Sequence, residues 1–359
     1  MKILHVITSL RTGGAEKLMA DLLPRFNANG TQADLLLFNG ADTHFKQQLQ
    51  KAGVRIYELG RGSVYNPLHI FRLLPYLRRY DIIHTHNTAP QLFVAIASLL
   101  CSTILVTTEH NTTNRRRDWW WYKPIDNWMY NRYRQVVCIS DKTEENLRRY
   151  MGDLRAQIST IYNGVDVGLY HAAELSDDVK TLCAGSRVVV MVAGFRYQKD
   201  QDTLIKALSL LPKEYRLVFV GDGERRGVCE KLCQSLGVTD RCHFLGIRTD
   251  VSSILKAAFV VVQSSHIDGF CLAVVEGMSA HKPVIASDVP GLSQVVSGAG
   301  VLFPHEDYKD LANAIMRLGF DKAYYQSVAD ACYARAKEFD ISVMADNYLK
   351  MYRNIWIRR

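Results

Sequence analysis

Strand-like runs alternate with helix-like patterns along this chain, and the alternation occurs twice. In the first half, residues 2–7, 33–38, 55–59, 82–85, 104–108 and 136–139 are short and rich in Val, Ile and Leu. Between them, residues 15–26, 43–51, 70–79 and 89–100 carry apolar side chains at helical spacing. Apolar strands separated by helices predict a mostly parallel sheet covered on both faces. A second series starts near residue 187, with strands at 188–192, 217–220, 243–245, 259–263 and 284–286 and helices at 203–211, 224–236, 251–257 and 272–280. At 359 residues the chain exceeds the roughly 250–300 that one core usually serves. The expectation is therefore an α/β protein with domains at 1–170 and 171–341, joined through a polar linker near 165–184. The tail, 342–359, spaces Val343, Met344, Tyr348, Leu349, Tyr352 and Ile355 as a helix that crosses back to the first domain.

Charge and cysteine usage narrow the chemistry. Forty-four Lys and Arg against 36 Asp and Glu leave a formal charge of +8, which favours an anionic partner. Eight cysteines are too sparse for a disulfide scaffold, and Cys229, Cys233 and Cys242 lack the second close pair of a zinc site. They read as buried thiols in a reducing compartment. The first residues lack the apolar stretch of a signal peptide, and Cys101-Ser102-Thr103 interrupts the most apolar segment. The expected location is cytoplasmic, with association at the inner face of the cytoplasmic membrane.

Ligands of open α/β domains bind beyond the carboxyl ends of the strands. After the first strand stands Gly13-Gly14-Ala15-Glu16, where glycines let the backbone approach a ligand and a helix opens towards it. An ordinary turn is the alternative, since the Gly-x-Gly-x-x-Gly spacing is absent. His84, His86 and His110 follow later strands; each can donate to a sugar hydroxyl or serve as a packed side chain, and His110 is the preferred functional candidate. In the second domain Arg196 and Lys199 follow a strand, and Asp268 and Glu276 bracket Gly269, Phe270, Cys271 and Leu272. Such a loop can hold a diphosphate on helix N–H groups and cationic side chains, with Glu276 accepting from ribose hydroxyls. No divalent-metal site for the diphosphate is assigned, and no metal and no cofactor are expected.

These motifs, in this order, resemble retaining GT-B nucleotide-sugar glycosyltransferases, particularly glycosyltransferase family four. The resemblance runs from Gly13-Gly14-Ala15-Glu16 through Phe195-Arg196-Tyr197-Gln198-Lys199, Gly221-Asp222-Gly223, Phe244-Leu245-Gly246 and Asp268 to Glu276, then Lys282 to Asp288. It implies two Rossmann-like domains with an active-site cleft between them. It also implies transfer of a hexosyl group from a nucleoside-diphosphate sugar to a hydroxyl with retention. Glu276 would hold the ribose, and Arg196 and Lys199 would meet the diphosphate. Gly221, Gly269, Phe270, Cys271 and Leu272 would line the donor. Gly13 and Gly14 would approach the phosphate or acceptor side, and His110 would face the transferred sugar. Asp268 stands where the family usually has the first Glu of a pair, and Gly194 stands where it has an arginine.

The segment from Arg115 to Tyr122, Arg-Arg-Arg-Asp-Trp-Trp-Trp-Tyr, is the most unusual local composition. Arg115, Arg116, Arg117, Trp119, Trp120 and Trp121, with Glu16, are candidates for acceptor or membrane contact, because cations meet lipid headgroups while indoles settle at the apolar boundary. The bland alternative is an aromatic cluster with a basic rim. The acceptor expected is a glycan or lipid-linked glycan of cell-envelope or capsular polysaccharide assembly. A nucleotide-sugar epimerase, a hydrolase and a non-catalytic nucleotide-sugar binder are the rival readings. Nucleic acid is not expected as a partner, because no complete binding module is present.

Overall fold

The computed structural model describes residues 1–11, 13–111 and 115–357, with the side chain of Arg115 left undescribed. The chain divides into two compact units: Met1–Gly164 with Ile341–Arg359, and Val165–Asp340.

The first unit holds a seven-stranded sheet, β1 (Lys2–Ile7), β2 (Gln32–Leu37), β3 (Ile56–Glu58), β4 (Ile82–His86), β5 (Ile104–Glu109), β6 (Gln135–Cys138) and β7 (Gln157–Thr160). Their order is β3-β2-β1-β4-β5-β6-β7, and every pairing is parallel. The second unit repeats the plan with β8 (Arg187–Val192), β9 (Tyr215–Val220), β10 (Cys242–Phe244), β11 (Val260–Gln263), β12 (Val284–Ser287) and β13 (Val301–Phe303), in the order β10-β9-β8-β11-β12-β13. These pairings are also parallel. Both sheets are flanked by helices, the arrangement of two Rossmann-like units.

Central strands are buried almost end to end. All five residues of β4 and all four of β11 and β12 are out of solvent, as a sheet covered on both faces requires. Each buried Val, Leu or Ile contributes roughly 1.5–3 kcal/mol. The two edge strands β7 and β13 were missed by the periodicity reading, and their burial explains this. Gln157-Ile-Ser-Thr160 is only partly covered, so no continuous apolar run marks it; β13 has three residues. The segment 165–184, read as a linker, instead carries two short helices, Val167–His171 and Asp177–Cys183, packed within the second unit on the helix Val251–Ala257.

The helix Ile341–Ile357 belongs to the first unit, where Tyr348 and Tyr352 are buried beside Phe26 of the helix Gly14–Ala28. Its entry rests on a close backbone approach. A Cβ placed on Gly164 would lie 2.7 Å from Ile341 Cα and 3.1 Å from Ile341 N. Gly164→Ala must therefore displace the start of this helix and is expected to destabilise the unit by about 1–3 kcal/mol. All five tryptophans, Trp119, Trp120, Trp121, Trp128 and Trp356, lie in this unit. Urea unfolding followed by indole fluorescence would thus register a lower midpoint, and an unchanged midpoint would contradict the packing argument.

Candidate active site

In each unit the strand order reverses at one place, between β1 and β4 and between β8 and β11. Loops leaving neighbouring strands diverge there, and the opening at their carboxyl ends is where α/β sheets bind ligands.

In the second unit the two loops at the reversal are tied by charge. Lys199 ends a short 3-10 turn, Tyr197–Lys199, after β8, and its Nζ lies 2.5 Å from Asp268 Oδ2 in the loop after β11. Asp268 also accepts from its neighbour Gly269 N at 2.9 Å and from Ser265 Oγ at 3.4 Å. Burial works against the Lys199 charge, but Asp268 outweighs it and, with a smaller contribution from Cys271, holds the ammonium above the usual lysine value. Arg196, three residues earlier, is exposed.

Close backbone packing fixes these loops. Gly221 has φ +133°, and a Cβ there would sit 2.2 Å from Ala193 O. A Cβ on Gly223 would meet Phe195 O at 2.4 Å, and Phe195 N donates to Asp222 O at 3.1 Å. On the other side, a Cβ on Gly291 would lie 2.0 Å from Asp268 O. Gly291 was not singled out in the sequence; it marks the second wall of the Asp268–Gly269 turn.

The helix Leu272–Ser279 opens directly behind that turn. Its cap residue is Cys271, whose side chain makes no capping bond, and burial pushes that thiol up to about 12, so it stays neutral. Phe270 is buried against Phe339 at 5.3 Å between ring centres, and Leu272 is half-buried at the first helical position. Glu276 is the fifth residue of the helix and is buried. The structure thus brings Lys199, Asp268 and Gly269 together in one loop pair. It sets Glu276 on the helix that follows.

Sequence reading missed His266, His305 and Asp200. His266 Nδ1 lies 2.6 Å from His305 Nε2, the Tyr197 ring packs on His266 at 4.6 Å, and Asp200 caps the helix Gln201–Leu210 through Thr203 N. The available signal was His266 standing two residues before Asp268 at the end of a strand. His305 had none, because β13 before it went unread. Asp200, His266 and His305 offer ligand atoms within 4.8 Å of one another. The other nitrogen of His266 is the one facing Asp200, 3.8 Å away, so the ring divides between its neighbours rather than aiming at a single point.

The first unit brings histidines to its reversal. His5 on β1 and His84 and His86 on β4 are buried, with His110 half-buried beyond β5. His84 and His86 therefore take the packed role rather than facing solvent. Burial lowers the pKa of His5 to about 3 and that of His110 to about 4, and holds His84 and His86 well below the ordinary value. Gly13 is extended at the cap of the helix Gly14–Ala28, and a Cβ on it would lie 2.2 Å from a Glu16 carboxylate oxygen. Glu16 thus folds back over the helix start, where burial raises its pKa.

The basic run is corrected by the structure. Arg116 and Arg117 do not face outward to lipid; both guanidinium groups are buried. Arg116 Nε lies 3.1 Å from Asp126 Oδ1, and its Nη2 donates to Gln91 Oε1 at 3.1 Å and to the Tyr130 hydroxyl at 3.2 Å. Arg117 pairs with Glu109 Oε2 at 3.0 Å, and Tyr130 donates to Glu109 Oε1 at 2.5 Å. Buried charges must be paired, and Glu109 and Asp126 supply the pairing. Desolvation opposes the Glu109 charge, yet Arg117 and Arg116 hold its carboxyl below the usual range. The Arg115 side chain lies outside the described residues. The indoles do face outward: Trp119 and Trp121 are each 50% exposed and stacked at 5.5 Å, and Trp120 is 88% exposed.

These shifts carry a sign. An unfolded imidazole binds its proton near pH 6.5, whereas burial lowers His5 to about 3 and His110 to about 4 and holds His84 and His86 well below the ordinary value. Their contribution to stability is present above pH 6.5 and is lost as pH falls below it, by up to about 1.4 kcal/mol per pH unit for each ring. Indole-monitored urea midpoints are expected to fall steadily from pH 7 to pH 5; a flat profile would mean that these rings are not buried neutral.

Known proteins share this sequence pattern and fold. A family described as Glycosyltransferase Family 4 matches residues 12–169, and one described as Glycosyl transferases group 1 matches residues 175–337. A plant relative, the phosphatidylinositol N-acetylglucosaminyltransferase component of Arabidopsis thaliana, is 27% identical over 188 residues, 50% of this chain and 40% of its own length. UDP-Gal:alpha-D-GlcNAc-diphosphoundecaprenol alpha-1,3-galactosyltransferase of Escherichia coli is 28% identical over 273 residues, 71% of this chain and 70% of its own. The matched part of the chain thus spans under half of the plant relative. The crystal structure of Anabaena Alr3699/HepE in complex with UDP-glucose, 26% identical, aligns with a TM-score of 0.86 over 99% of this chain and 100% of that one. Family matches reaching from residue 12 to residue 337, on a fold shared along nearly the whole length, make this chain a glycosyltransferase of the GT-B fold, homologous to family four.

Proposed function

We propose that the protein transfers a hexosyl group from a nucleoside-diphosphate sugar to a hydroxyl of a glycan or lipid-linked glycan, with retention at the anomeric carbon. The observation that carries this reading is the Lys199–Asp268 pair at the reversal of the second sheet, with exposed Arg196 nearby and the uncapped helix Leu272–Ser279 behind it. Cations and open helix N–H groups are what a leaving diphosphate needs as its charge grows. The solved relative holding UDP-glucose makes a uridine diphosphate sugar the first donor to try.

In this reading Lys199 and Arg196 meet the diphosphate, and Asp268 holds Lys199 in place. Glu276 accepts from ribose hydroxyls, Gly221 and Gly269 let backbone approach the donor, and His110 meets the transferred sugar. The acceptor oxygen forms its bond to the anomeric carbon as the bond to the diphosphate oxygen breaks, and the acceptor proton passes to that leaving oxygen. No protein nucleophile and no metal enter. The E. coli relative, named for a diphosphoundecaprenol acceptor, supports a lipid-linked one here.

Incubating the protein with UDP-glucose and membrane extract tests the whole reading, with product mass and anomeric configuration as the readout. A new α-linked glycoside, formed only with acceptor and unaffected by chelator, is expected. Lys199→Ala and Glu276→Ala should each lower turnover at least about 100-fold. Donor cleavage without a glycoside would favour the hydrolase instead, and normal turnover by both variants would defeat the site assignment.

A lipid-linked acceptor asks for contact with a bilayer surface. No helix among the described residues is long and apolar enough to cross a membrane. We assign surface contact, at the inner face of the cytoplasmic membrane, to Trp119, Trp120 and Trp121 with exposed Trp128 and Lys123 on the helix Lys123–Tyr130. Indoles settle at the headgroup level and a lysine adds attraction to anionic lipid. Co-sedimentation with vesicles containing anionic phospholipid should fall about tenfold for Trp120→Ala, whose 88% exposure leaves little packing to lose. Equal sedimentation would remove this surface from the reading.

A further inference from the structure

Three imidazoles form an unbroken hydrogen-bonded line from the core of the first sheet to its carboxyl end. His5 Nδ1 lies 3.0 Å from His86 Nε2, and His86 Nδ1 lies 2.9 Å from His110 Nε2. The inner end of the line is closed, because His5 Nε2 is buried without a partner among the described residues. The outer end is open: His110 Nδ1 makes no hydrogen bond among those residues and is not among the buried unpartnered atoms.

A neutral imidazole carries one N–H and one bare nitrogen, so each ring in such a line fixes the next. Two polarities exist. In one, His5 donates from Nδ1 to His86 Nε2, His86 donates from Nδ1 to His110 Nε2, and His110 points an Nδ1–H outward. In the other, all three protons sit on Nε2, the outer nitrogen of His110 is bare, and a buried N–H is stranded at His5. An orphaned buried N–H is the costlier defect, since donors left unsatisfied in protein interiors are rarer than unsatisfied acceptors. We propose that His5 and His86 are positioning residues that lock His110 in the Nδ1–H form, so that this ring presents a hydrogen-bond donor to an oxygen of its ligand, the class being a sugar hydroxyl. The tautomer follows from the line itself; the sugar as ligand rests on the function proposed above.

A metal centre is the rival use of this cluster, since His5, His84 and His86 offer ligand atoms within 4.8 Å of one another. Ring orientation argues against it. His5 and His86 lie 10° from parallel and His84 stacks on His86 at 4.4 Å and 27°, so the in-plane lone pairs run side by side rather than meeting at one ion. Both His84 nitrogens are moreover engaged, one by Thr108 Oγ1 at 2.7 Å and the other by the Tyr352 hydroxyl. His84 is therefore a wall of the line, clamped by β5 and the carboxyl-terminal helix. The low proton affinity of all four rings keeps the line neutral near pH 7.

The test is a long-range proton–nitrogen correlation spectrum of the full chain carrying 15N-histidine, at neutral pH without ligand. His5, His86 and His110 should each show a protonated Nδ1 and a bare Nε2, with the favoured form in excess by roughly tenfold or more. The reverse pattern, or averaged shifts at His110, would overturn the proposal, and so would a shift of the signals on adding zinc that placed the metal on His5 and His86. His5→Phe removes the lock and should move His110 towards averaging; a folded His5→Phe chain with His110 unchanged would also overturn it. The wild-type spectrum decides the matter should that variant not fold. Adding UDP-glucose then separates the two layers: a change at His110 Nδ1–H supports the sugar as ligand, whereas an intact polarity with no change would defeat only the site reading.

Discussion

The reversal of strand order is the constraint on which the rest of the structure depends. Parallel strands need crossover helices, and the crossovers keep one hand, so a chain building outward from its first strand fills one side of the sheet and must return to fill the other. At that return, between β1 and β4 and again between β8 and β11, neighbouring loops part. Nothing in the sheet fills the opening, and polar side chains at the strand ends meet there. Every candidate group of the second unit's loop pair, and the histidine line of the first, lies at one of these two places.

The surplus of positive charge is used in a way its total does not reveal. Arginines 116 and 117 are spent inside the first unit, where Glu109 and Asp126 neutralise them and Gln91 and Tyr130 accept further hydrogen bonds from Arg116. Removing one member of such a network would leave the other charge buried and unpaired, which typically costs about 3–5 kcal/mol. This anchoring explains why the tryptophans beside them can stay on the outside: the turn bearing them is held from beneath by ion pairs, not by indole packing. The cations on the second unit's strand-end loops differ, with Arg196 exposed and Lys199 only partly covered.

Much of this was legible in the sequence, and the failures have physical causes. The central strands announced themselves because burial on both faces forces continuous Val, Ile and Leu, as in Arg187–Val192. Edge strand β7 lacks that pressure and left no apolar run, and β13 is only three residues long. Lys199 and Asp268 could be read as strand-end residues, and Glu276 as a helical one, because strand ends and a glycine before a helix are local patterns. Gly291 could not, since its need is the Asp268 backbone 23 residues away in sequence. The direction of Arg116 was equally hidden: an arginine beside tryptophans looks the same whether its partner is a phosphate outside or Asp126 one helical segment later. The line through His5, His86 and His110 joins three strands' worth of sequence, and only parallel register brings those rings together.

The two units present polar groups at their strand ends by opposite means. The second unit offers full charges, Lys199 balanced by Asp268 and kept cationic despite partial burial, which suits a group whose negative charge increases as a bond breaks. A charge of that kind in the first unit's core would have to be paired or expelled, and burial has instead made all four imidazoles neutral. What a neutral line can deliver is direction: one N–H at a fixed place, oriented by partners that reach no solvent. Direction discriminates among hydroxyls far better than charge does, because a hydroxyl that is misplaced loses a hydrogen bond while a phosphate nearby still feels the field. A fold that repeats one architecture twice can therefore divide the labour, with strength of attraction in one copy and geometry of recognition in the other.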